Sequence, residues 1–119
     1  SDFSPSKLKS FINQLNQKTF GINYDIGNSA SLGFDVNNEF HEYGDRIFNV
    51  HVKDRILNGS TVPLGDGDAK FDKVFRNLSK LQYSGNFILQ TARATNEEHS
   101  KVLGYYKKMT ENWIKVYGL

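Results

Sequence analysis

The residues that could do chemistry in this chain of 119 residues are Asp25, His51 and Gln90. Each lies at or near the C-terminal end of a segment whose residue types favour a β-strand. Aspartate and neutral histidine are good ligands for a divalent metal ion, whereas glutamine offers a weaker, uncharged oxygen. If the strands are parallel, their C-terminal ends meet at the edge where parallel α/β folds build active sites. Together the three residues favour a site.

Each of these residues also has a purely structural interpretation. Asp25 precedes a turn-like stretch with a glycine, and an aspartate there can cap a turn through its own side chain. His51, inside an apolar strand, is explained equally well in isolation as a hydrogen-bonded core histidine. Gln90 alone indicates little. The prediction of a site therefore depends on the three residues lying together.

A glycine-rich loop at positions 62–68, with the sequence VPLGDGD, precedes a predicted helix. The backbone N–H groups of Gly65 and Gly67 are candidates for binding a substrate phosphate. Glycines at these places are equally what a tight joint between a loop and a helix requires. The motif leaves both interpretations open.

Lys53, Arg55 and Arg93 follow strand ends and are candidates for neutralising an anionic substrate, although such side chains most often face water. The net charge is +2, with positive and negative residues mixed along the chain. This pattern gives no support to nucleic-acid binding, while a small phosphate-bearing substrate needs only one or two placed cations.

The chain contains no cysteine, which excludes disulfides and thiolate chemistry within it. No apolar run approaches the roughly 20 residues of a membrane span, and no signal peptide is recognisable at the start. We therefore expect a cytoplasmic protein that does not interact with membranes.

The elements that must position these residues alternate between helix and strand. Apolar residues at helical spacing predict four helices, over 5–17, after Asp35, over 71–81 and from Glu97 onwards. Strands are predicted over 20–24, 46–52 and 86–91, with a long loop over 53–68. The order αβαβαβα implies right-handed crossovers and an α/β fold with a parallel sheet. We expect a single domain over residues 1–119.

Four motifs give the chain a resemblance to a known family. They are Tyr24-Asp25-Ile26-Gly27-Asn28, Asn49-Val50-His51-Val52-Lys53-Asp54-Arg55, Val62-Pro63-Leu64-Gly65-Asp66-Gly67 with Phe71 after it, and Tyr83-Ser84-Gly85-Asn86-Phe87-Ile88-Leu89-Gln90. In this order they resemble the C-terminal half of sugar-phosphate isomerases and epimerases of the xylose-isomerase-like superfamily, particularly the hexulose-6-phosphate isomerase and ribulose-5-phosphate 3-epimerase group. The resemblance implies an incomplete (β/α)8 TIM barrel, because a closed barrel needs about 250 residues.

The resemblance also implies a divalent metal ion (Mn, Mg, Co or Zn), held by Glu, Asp, His and Glu from successive strands. Asp25 and His51 match the Asp and His ligands, and Asn28 matches a substrate-contacting position. Gln90 matches the second Glu, which is a departure because an amide cannot act as a base, although it can still coordinate a metal. The first Glu belongs upstream of Ser1, so the resemblance implies that the N-terminal strands are missing.

We therefore expect a fragment of a metal-dependent sugar-phosphate isomerase or epimerase that acts by enolisation and is inactive as this chain alone. The open sheet should associate with itself or with the missing N-terminal half. An alternative is a non-catalytic half-barrel module for assembly, with Gln90 as a sign of lost catalysis. An abasic-DNA endonuclease relative is a third interpretation, which would require more histidine ligands and a basic face.

Overall fold

The computed structural model describes residues 3–92 and 99–119. The helices are α1 (Pro5–Ile12), α2 (Ile26–Leu32), α3 (Val36–Tyr43), α4 (Phe71–Lys80) and α5 (His99–Val116). The strands are β1 (Ile22–Asp25), β2 (Ile47–Val52), β3 (Asp54–Arg55), β4 (Thr61–Val62) and β5 (Asn86–Leu89). A short 3-10 turn, Gly44–Arg46, leads from α3 into β2.

The central feature is a three-stranded parallel sheet in the order β1-β2-β5. His51 in β2 pairs with Asp25 in β1 and with Ile88 in β5. One face of the sheet is buried, as Tyr24 and Val50 show, with 2% and 0% of their surface exposed. The opposite face carries the alternate residues, so that Asp25, His51 and Ile88 point away from the core. The predicted α/β fold with parallel strands is confirmed.

The core lies between the buried face of the sheet and the helices. Helix α4 contributes Phe71, Val74, Phe75 and Leu78, all buried, at the spacing the sequence predicts for a one-sided helix. Phe75 stacks on Phe87 of β5 with ring centroids 5.5 Å apart. Each fully buried apolar side chain of this size contributes about 1.5–3 kcal/mol. This packing fixes α4 on the sheet.

Helix α5 packs against the core more loosely. The apolar spacing predicts that this helix buries Val102, Leu103, Tyr106, Met109, Trp113, Ile114 and Tyr117. Tyr106 is buried and the others are partly buried, except Leu103, which is 48% exposed and for which the prediction was wrong. The predicted start at Glu97 lies outside the described residues. Charged and polar side chains interrupt the apolar spacing of α5.

No helix in the described ranges is long and apolar enough to cross a membrane.

Helix α1 ends at Ile12, earlier than the predicted end at Gln17. The buried guanidinium of Arg46 donates hydrogen bonds to the carbonyl oxygens of Ile12, at 3.0 Å, and Phe20, at 2.9 Å. A longer helix would need the Ile12 carbonyl for the amide of residue 16. The Ile12 carbonyl instead accepts from the Leu15 amide at 3.0 Å and from Arg46, so the chain leaves the α-helical pattern at this point.

Two regions that the sequence predicts as loops contain secondary structure. Residues 26–32 form α2, which Asp25 caps and which ends at Gly33 with a φ of 73°. Within the predicted loop 53–68, β3 and β4 form a small antiparallel hairpin, with Asp54 opposite Val62 and Arg55 opposite Thr61. Such short elements carry too few residues for apolar periodicity, so the described chain has five helices where four were predicted.

Candidate functional site

Asp25 and His51 lie side by side at the C-terminal ends of β1 and β2. They are partners in the parallel pairing, and both side chains lie on the face opposite the core. Both residues are partly buried. The geometry brings a carboxylate and an imidazole together at the rim of the sheet, and both can ligate a divalent cation.

The carboxylate of Asp25 has two different surroundings. Its Oδ1 accepts a hydrogen bond from the backbone N–H of Asn28 at 2.8 Å, which caps α2. Its Oδ2 lies 4.0 Å from Nζ of Lys53, and the two side chains are 13% and 19% exposed. The structural interpretation of Asp25 as a capping residue is therefore correct, and its second oxygen is already paired with the ammonium group of Lys53.

Lys53 is held in this position by close packing against the first turn of α2. A Cβ atom added to Gly27 would lie 2.9 Å from Cγ of Lys53 and 3.1 Å from its carbonyl oxygen. Only a glycine lets β2 and α2 approach this closely. The backbone and Cγ of Lys53 are thereby held against α2, and its ammonium group lies beside Asp25.

The side chain of His51 makes no hydrogen bond or ion pair with any other described residue. A buried histidine with a purely structural role would be expected to bond to a neighbour through its ring nitrogens. The hydrogen-bonded core histidine considered from the sequence is thus not what the structure contains. Its ring faces the open side of the sheet, next to Asp25.

Gln90 follows β5 on the same side of the sheet. Its backbone N–H donates to the Val52 carbonyl at 3.0 Å, and it stands two residues beyond Ile88, the partner of His51. The alternation of side chains puts Gln90 on the same face as His51, one step further along the strand direction. The side chain is exposed. Arg93, also predicted for the site, lies outside the described residues.

The donor set fits part of the coordination sphere of a divalent cation. Asp25 offers Oδ2, His51 offers an imidazole nitrogen, and Gln90 offers an amide oxygen. Within residues 3–92 and 99–119, no three His, Asp or Glu side chains are grouped closely enough to hold a metal ion. Since zinc takes about four ligands and magnesium about six, the remaining ligands would have to come from other residues or from water.

Asn28 and Arg55 bond to each other. Nη1 of Arg55 donates to Oδ1 of Asn28 at 2.9 Å, and its Nε and Nη2 donate to the Gly59 carbonyl at 3.1 and 2.6 Å. Arg55 thereby ties α2 to the β3–β4 hairpin. Both residues were predicted to contact substrate, and that role stays a prediction. The guanidinium group of Arg55 would have to give up some of these hydrogen bonds to bind an anionic substrate.

The glycine-rich loop wraps around a buried carboxylate. Asp54, which is 1% exposed, accepts hydrogen bonds at 2.9 Å from the amides of Gly65 and Gly67, and at 3.1 Å from that of Ala69. Gly65 has a φ of 94°, which favours glycine. The two amides predicted to bind phosphate thus donate to Asp54, and an incoming phosphate would have to displace it. Their phosphate role stays a prediction.

A second buried carboxylate lies on the helix side of the sheet. Glu39 of α3 is 0% exposed and accepts hydrogen bonds from the hydroxyl of Tyr24 at 2.9 Å, from that of Tyr43 at 3.0 Å and from that of Ser29. Burial raises the pKa of Glu39, and the three hydroxyl bonds act in the opposite direction. Burial also raises the pKa of Tyr24, with the Glu39 charge adding to the effect.

Sequence reasoning missed Asp54 and Glu39. Asp54 was visible only as part of a motif, and its partners are separated from it by 11 to 15 residues. Glu39 had a usable signal, because it falls with Val36, Phe40 and Tyr43 on the buried side of one helix. A glutamate inside an apolar stripe indicates a paired carboxylate.

The fold and the rim residues define a segment of a parallel α/β barrel. Residues 2–109 match the family model described as the xylose isomerase-like TIM barrel, and the chain belongs to this family.

Enzymes of sugar-phosphate metabolism are among the relatives. The chain is 34% identical over 94 residues to the putative L-ribulose-5-phosphate 3-epimerase SgbU of Escherichia coli K12, covering 73% of this chain and 33% of that protein. It is 28% identical over 113 residues to the L-ribulose-5-phosphate 3-epimerase UlaE of Salmonella paratyphi A, covering 94% of this chain and 38% of the relative. The chain thus spans between 33% and 38% of the length of these curated relatives.

Solved structures share the fold. A xylose isomerase domain protein from Planctomyces limnophilus superposes with a TM-score of 0.82 at 22% identity, over 99% of this chain and 46% of that one. A D-tagatose 3-epimerase-like protein gives a TM-score of 0.74 at 18% identity, over 97% and 42% of the two chains. These likenesses concern the fold, and they agree with the prediction of an incomplete barrel.

Proposed function

We propose that this chain forms part of a metal-dependent sugar-phosphate isomerase or epimerase, in which Asp25 and His51 are two ligands of a divalent cation. The observation that carries the proposal is the pairing of these residues on adjacent parallel strands, with both side chains on the open face. Epimerase relatives named for L-ribulose 5-phosphate support a phosphorylated ketose as the class of substrate.

The reaction class is proton transfer at a carbon beside a carbonyl. A bound divalent cation would supply stabilisation of the negative charge that develops on oxygen when that carbon loses its proton. Asp25 is fixed by its bond to the Asn28 amide, and its Oδ2 lies 4.0 Å from the ammonium of Lys53. A divalent cation on Oδ2 would replace that ammonium, which would then be available to an anionic substrate. Gln90 can hold a substrate hydroxyl, but cannot move the proton.

This division of roles has a consequence for catalysis by the chain alone. Proton transfer at carbon requires a base, and the described rim offers a neutral amide at Gln90 next to Asp25 and His51, both assigned to the cation. We propose that these residues by themselves do not turn over a ketose phosphate. A purified sample that epimerises or isomerises L-ribulose 5-phosphate at a rate above the background would contradict this.

The open face of the sheet supports self-association or pairing with further barrel strands. Ile88 on this face, at the same level as His51, is 43% exposed. Parallel sheets are normally covered on both faces, and this apolar side chain would be buried by additional strands and helices. The same observation favours the second candidate, a non-catalytic half-barrel that serves assembly.

A cobalt titration separates the two candidates. Micromolar binding of Co²⁺, seen as visible absorption bands, is expected for the chain and should be lost in His51→Ala. His41→Ala is the matched control, because His41 is exposed on α3 and belongs to no predicted site. Binding that is unchanged in His51→Ala, or equally lost in both variants, would overturn the proposed cation site and favour the assembly module.

A further inference from the structure

Glu39 links two elements that carry predicted site residues. Its carboxylate accepts from the Tyr24 hydroxyl through Oε1, and from the Ser29 and Tyr43 hydroxyls through Oε2. Tyr24 directly precedes Asp25 in β1, and Ser29 directly follows Asn28 in α2. A single buried carboxylate thus bonds to the residues on either side of the short stretch 25–28, from the helix-covered face of the sheet.

Helix α2 needs such an anchor. It has seven residues, and isolated helices shorter than roughly 12 residues are marginal in water, so its orientation depends on tertiary contacts. Ser31 and Asn28 anchor α2 on the hairpin side, through the Gly59 carbonyl at 3.3 Å and Arg55 at 2.9 Å. Ser29 anchors it on the α3 side, through Glu39.

We propose that Glu39 is a positioning residue, which fixes the corner between β1 and α2 and thereby the placement of Asp25 and Asn28 at the rim. The inference rests on the proposed function, because it takes these two residues as part of the site. Glu39 is not proposed as a ligand, because its carboxylate is already bonded to three hydroxyl groups of the chain. It lies behind the sheet, with 0% of its surface exposed.

The chemistry of the cluster fits this role. A buried carboxylate without hydrogen-bond donors is strongly destabilising, whereas one with three hydroxyl donors is satisfied. Removing the carboxylate leaves the hydroxyls of Tyr24, Ser29 and Tyr43 without their shared acceptor. Ser29 then loses its tie to α3, and the first turn of α2 keeps the Asp25 cap, the hairpin contacts and the packing of Gly27 against Lys53.

Amide hydrogen exchange provides a test that does not depend on any ligand. The Asn28 amide donates to Asp25 at the corner, and the Gln90 amide donates to Val52 in the sheet. In Glu39→Ala we expect exchange of the Asn28 amide to accelerate by about ten-fold more than exchange of the Gln90 amide. The control is Leu78→Ala in the core, which acts on global unfolding and should leave the ratio of the two rates unchanged. Equal acceleration of both amides in Glu39→Ala would overturn the proposal.

Two milder variants keep the test decisive if Glu39→Ala does not fold. Glu39→Gln retains the size and one acceptor oxygen, and hydroxyls can accept from its NH₂ group, so the Asn28 amide should exchange at nearly the wild-type rate. Ser29→Ala removes only the tie between α2 and α3 and should accelerate Asn28 selectively. Ser31→Ala on the same helix is its matched control and should accelerate Asn28 less. The proposal would be contradicted if the Asn28 amide exchanged at the wild-type rate in Ser29→Ala, or if it exchanged as fast in Glu39→Gln as in Glu39→Ala.

A cobalt titration of the same variants links the corner to the site. We expect the Co²⁺ affinity of Glu39→Ala to fall by about ten-fold relative to that of Leu78→Ala, with Glu39→Gln close to wild type. If the wild-type chain binds no Co²⁺, the proposed cation site fails, while the exchange rates still decide the positioning role. If Co²⁺ binds equally well to Glu39→Ala and Leu78→Ala, the positioning role fails and the cation site stands.

Discussion

Asp25 and His51 are paired on neighbouring parallel strands, but only Asp25 is tied to its surroundings. Its Oδ1 holds the Asn28 amide at 2.8 Å, whereas the His51 ring bonds to no other described residue. A carboxylate fixed by a capping bond is pre-oriented, and a histidine beside it can turn to meet a shared ion. This combination of one fixed and one adjustable ligand is the basis of the proposed cation site.

The two roles of Asp25 can be separated by substitution. Asp25→Asn should retain the cap, because asparagine accepts as well as aspartate at this position, so the unfolding free energy should change by less than about 1 kcal/mol. Its Co²⁺ affinity should nevertheless fall by more than about ten-fold, since a charged ligand is lost. Asp25→Ala should lose the affinity and also about 1 kcal/mol of stability. Urea unfolding and cobalt titration give the two quantities, and an Asp25→Asn that binds Co²⁺ like wild type would exclude Asp25 as a ligand.

Asp54 should be important for stability because the loop is built around it. Asp54→Ala leaves three backbone N–H donors without their acceptor, and we expect the free energy of unfolding to fall by about 3 kcal/mol or more. The matched control is Asp66→Ala, an exposed carboxylate in the same loop, which should change stability by less than about 0.5 kcal/mol. Similar urea midpoints for the two variants would show that the Asp54 contacts contribute little.

The raised pKa of Glu39 predicts a specific dependence of stability on pH. In the window between the ordinary glutamate value of 4.5 and the raised folded value, the folded chain binds more protons than the unfolded chain. The stability from Glu39 is therefore fully present below the unfolded pKa and is lost as the pH rises through the folded pKa. Glu39→Gln carries no titrating group at this position. Its unfolding free energy should therefore increase relative to that of the wild type as the pH rises through this window. A difference that is independent of pH would contradict the raised pKa.

Arg46 should contribute more than an ordinary surface arginine. It is 4% exposed and donates to the carbonyls of Ile12 and Phe20, at the end of α1 and before β1. Arg46→Lys keeps the charge but cannot reach both acceptors with a planar fork, and we expect a loss of about 2 kcal/mol in the free energy of unfolding. Arg76→Lys, exposed on α4, is the control and should be neutral. Equal thermal midpoints for the two variants would contradict this role.

The sequence was a good guide where periodicity extends over several turns or where strands are long enough to alternate. Helix α4 and strands β2 and β5 follow such patterns. The alternation of side chains along parallel strands was enough to predict that Asp25, His51 and Gln90 lie at one edge of the sheet. The capping role of Asp35 was also predictable, and its side chain accepts from the Asn38 amide at 2.8 Å. Local patterns therefore fixed the strands that carry the proposed ligands.

The features that could not be predicted depend on partners distant in the chain. Nothing near Asp54 indicates that its carboxylate would take the amides of Gly65 and Gly67, which the loop motif had suggested for phosphate. In the same way, Arg46 bonds to the Ile12 carbonyl at the end of α1 from 34 residues away, where the apolar spacing predicts a longer helix. Long-range polar bonds of this kind override local propensity and leave no signal in residue spacing.

Paramagnetic relaxation by Mn²⁺ tests the central claim most directly, because it reports where a cation lies in the folded chain. In a ¹H–¹⁵N spectrum titrated with Mn²⁺, the strongest broadening should fall on the amides of Asp25, His51 and Gln90, and should weaken towards the N-terminal end of β2. The same titration of His51→Ala should lose this localised pattern. Broadening centred on the exposed carboxylates of the 62–68 loop, or no localised broadening at all, would contradict a cation site at the rim of the sheet.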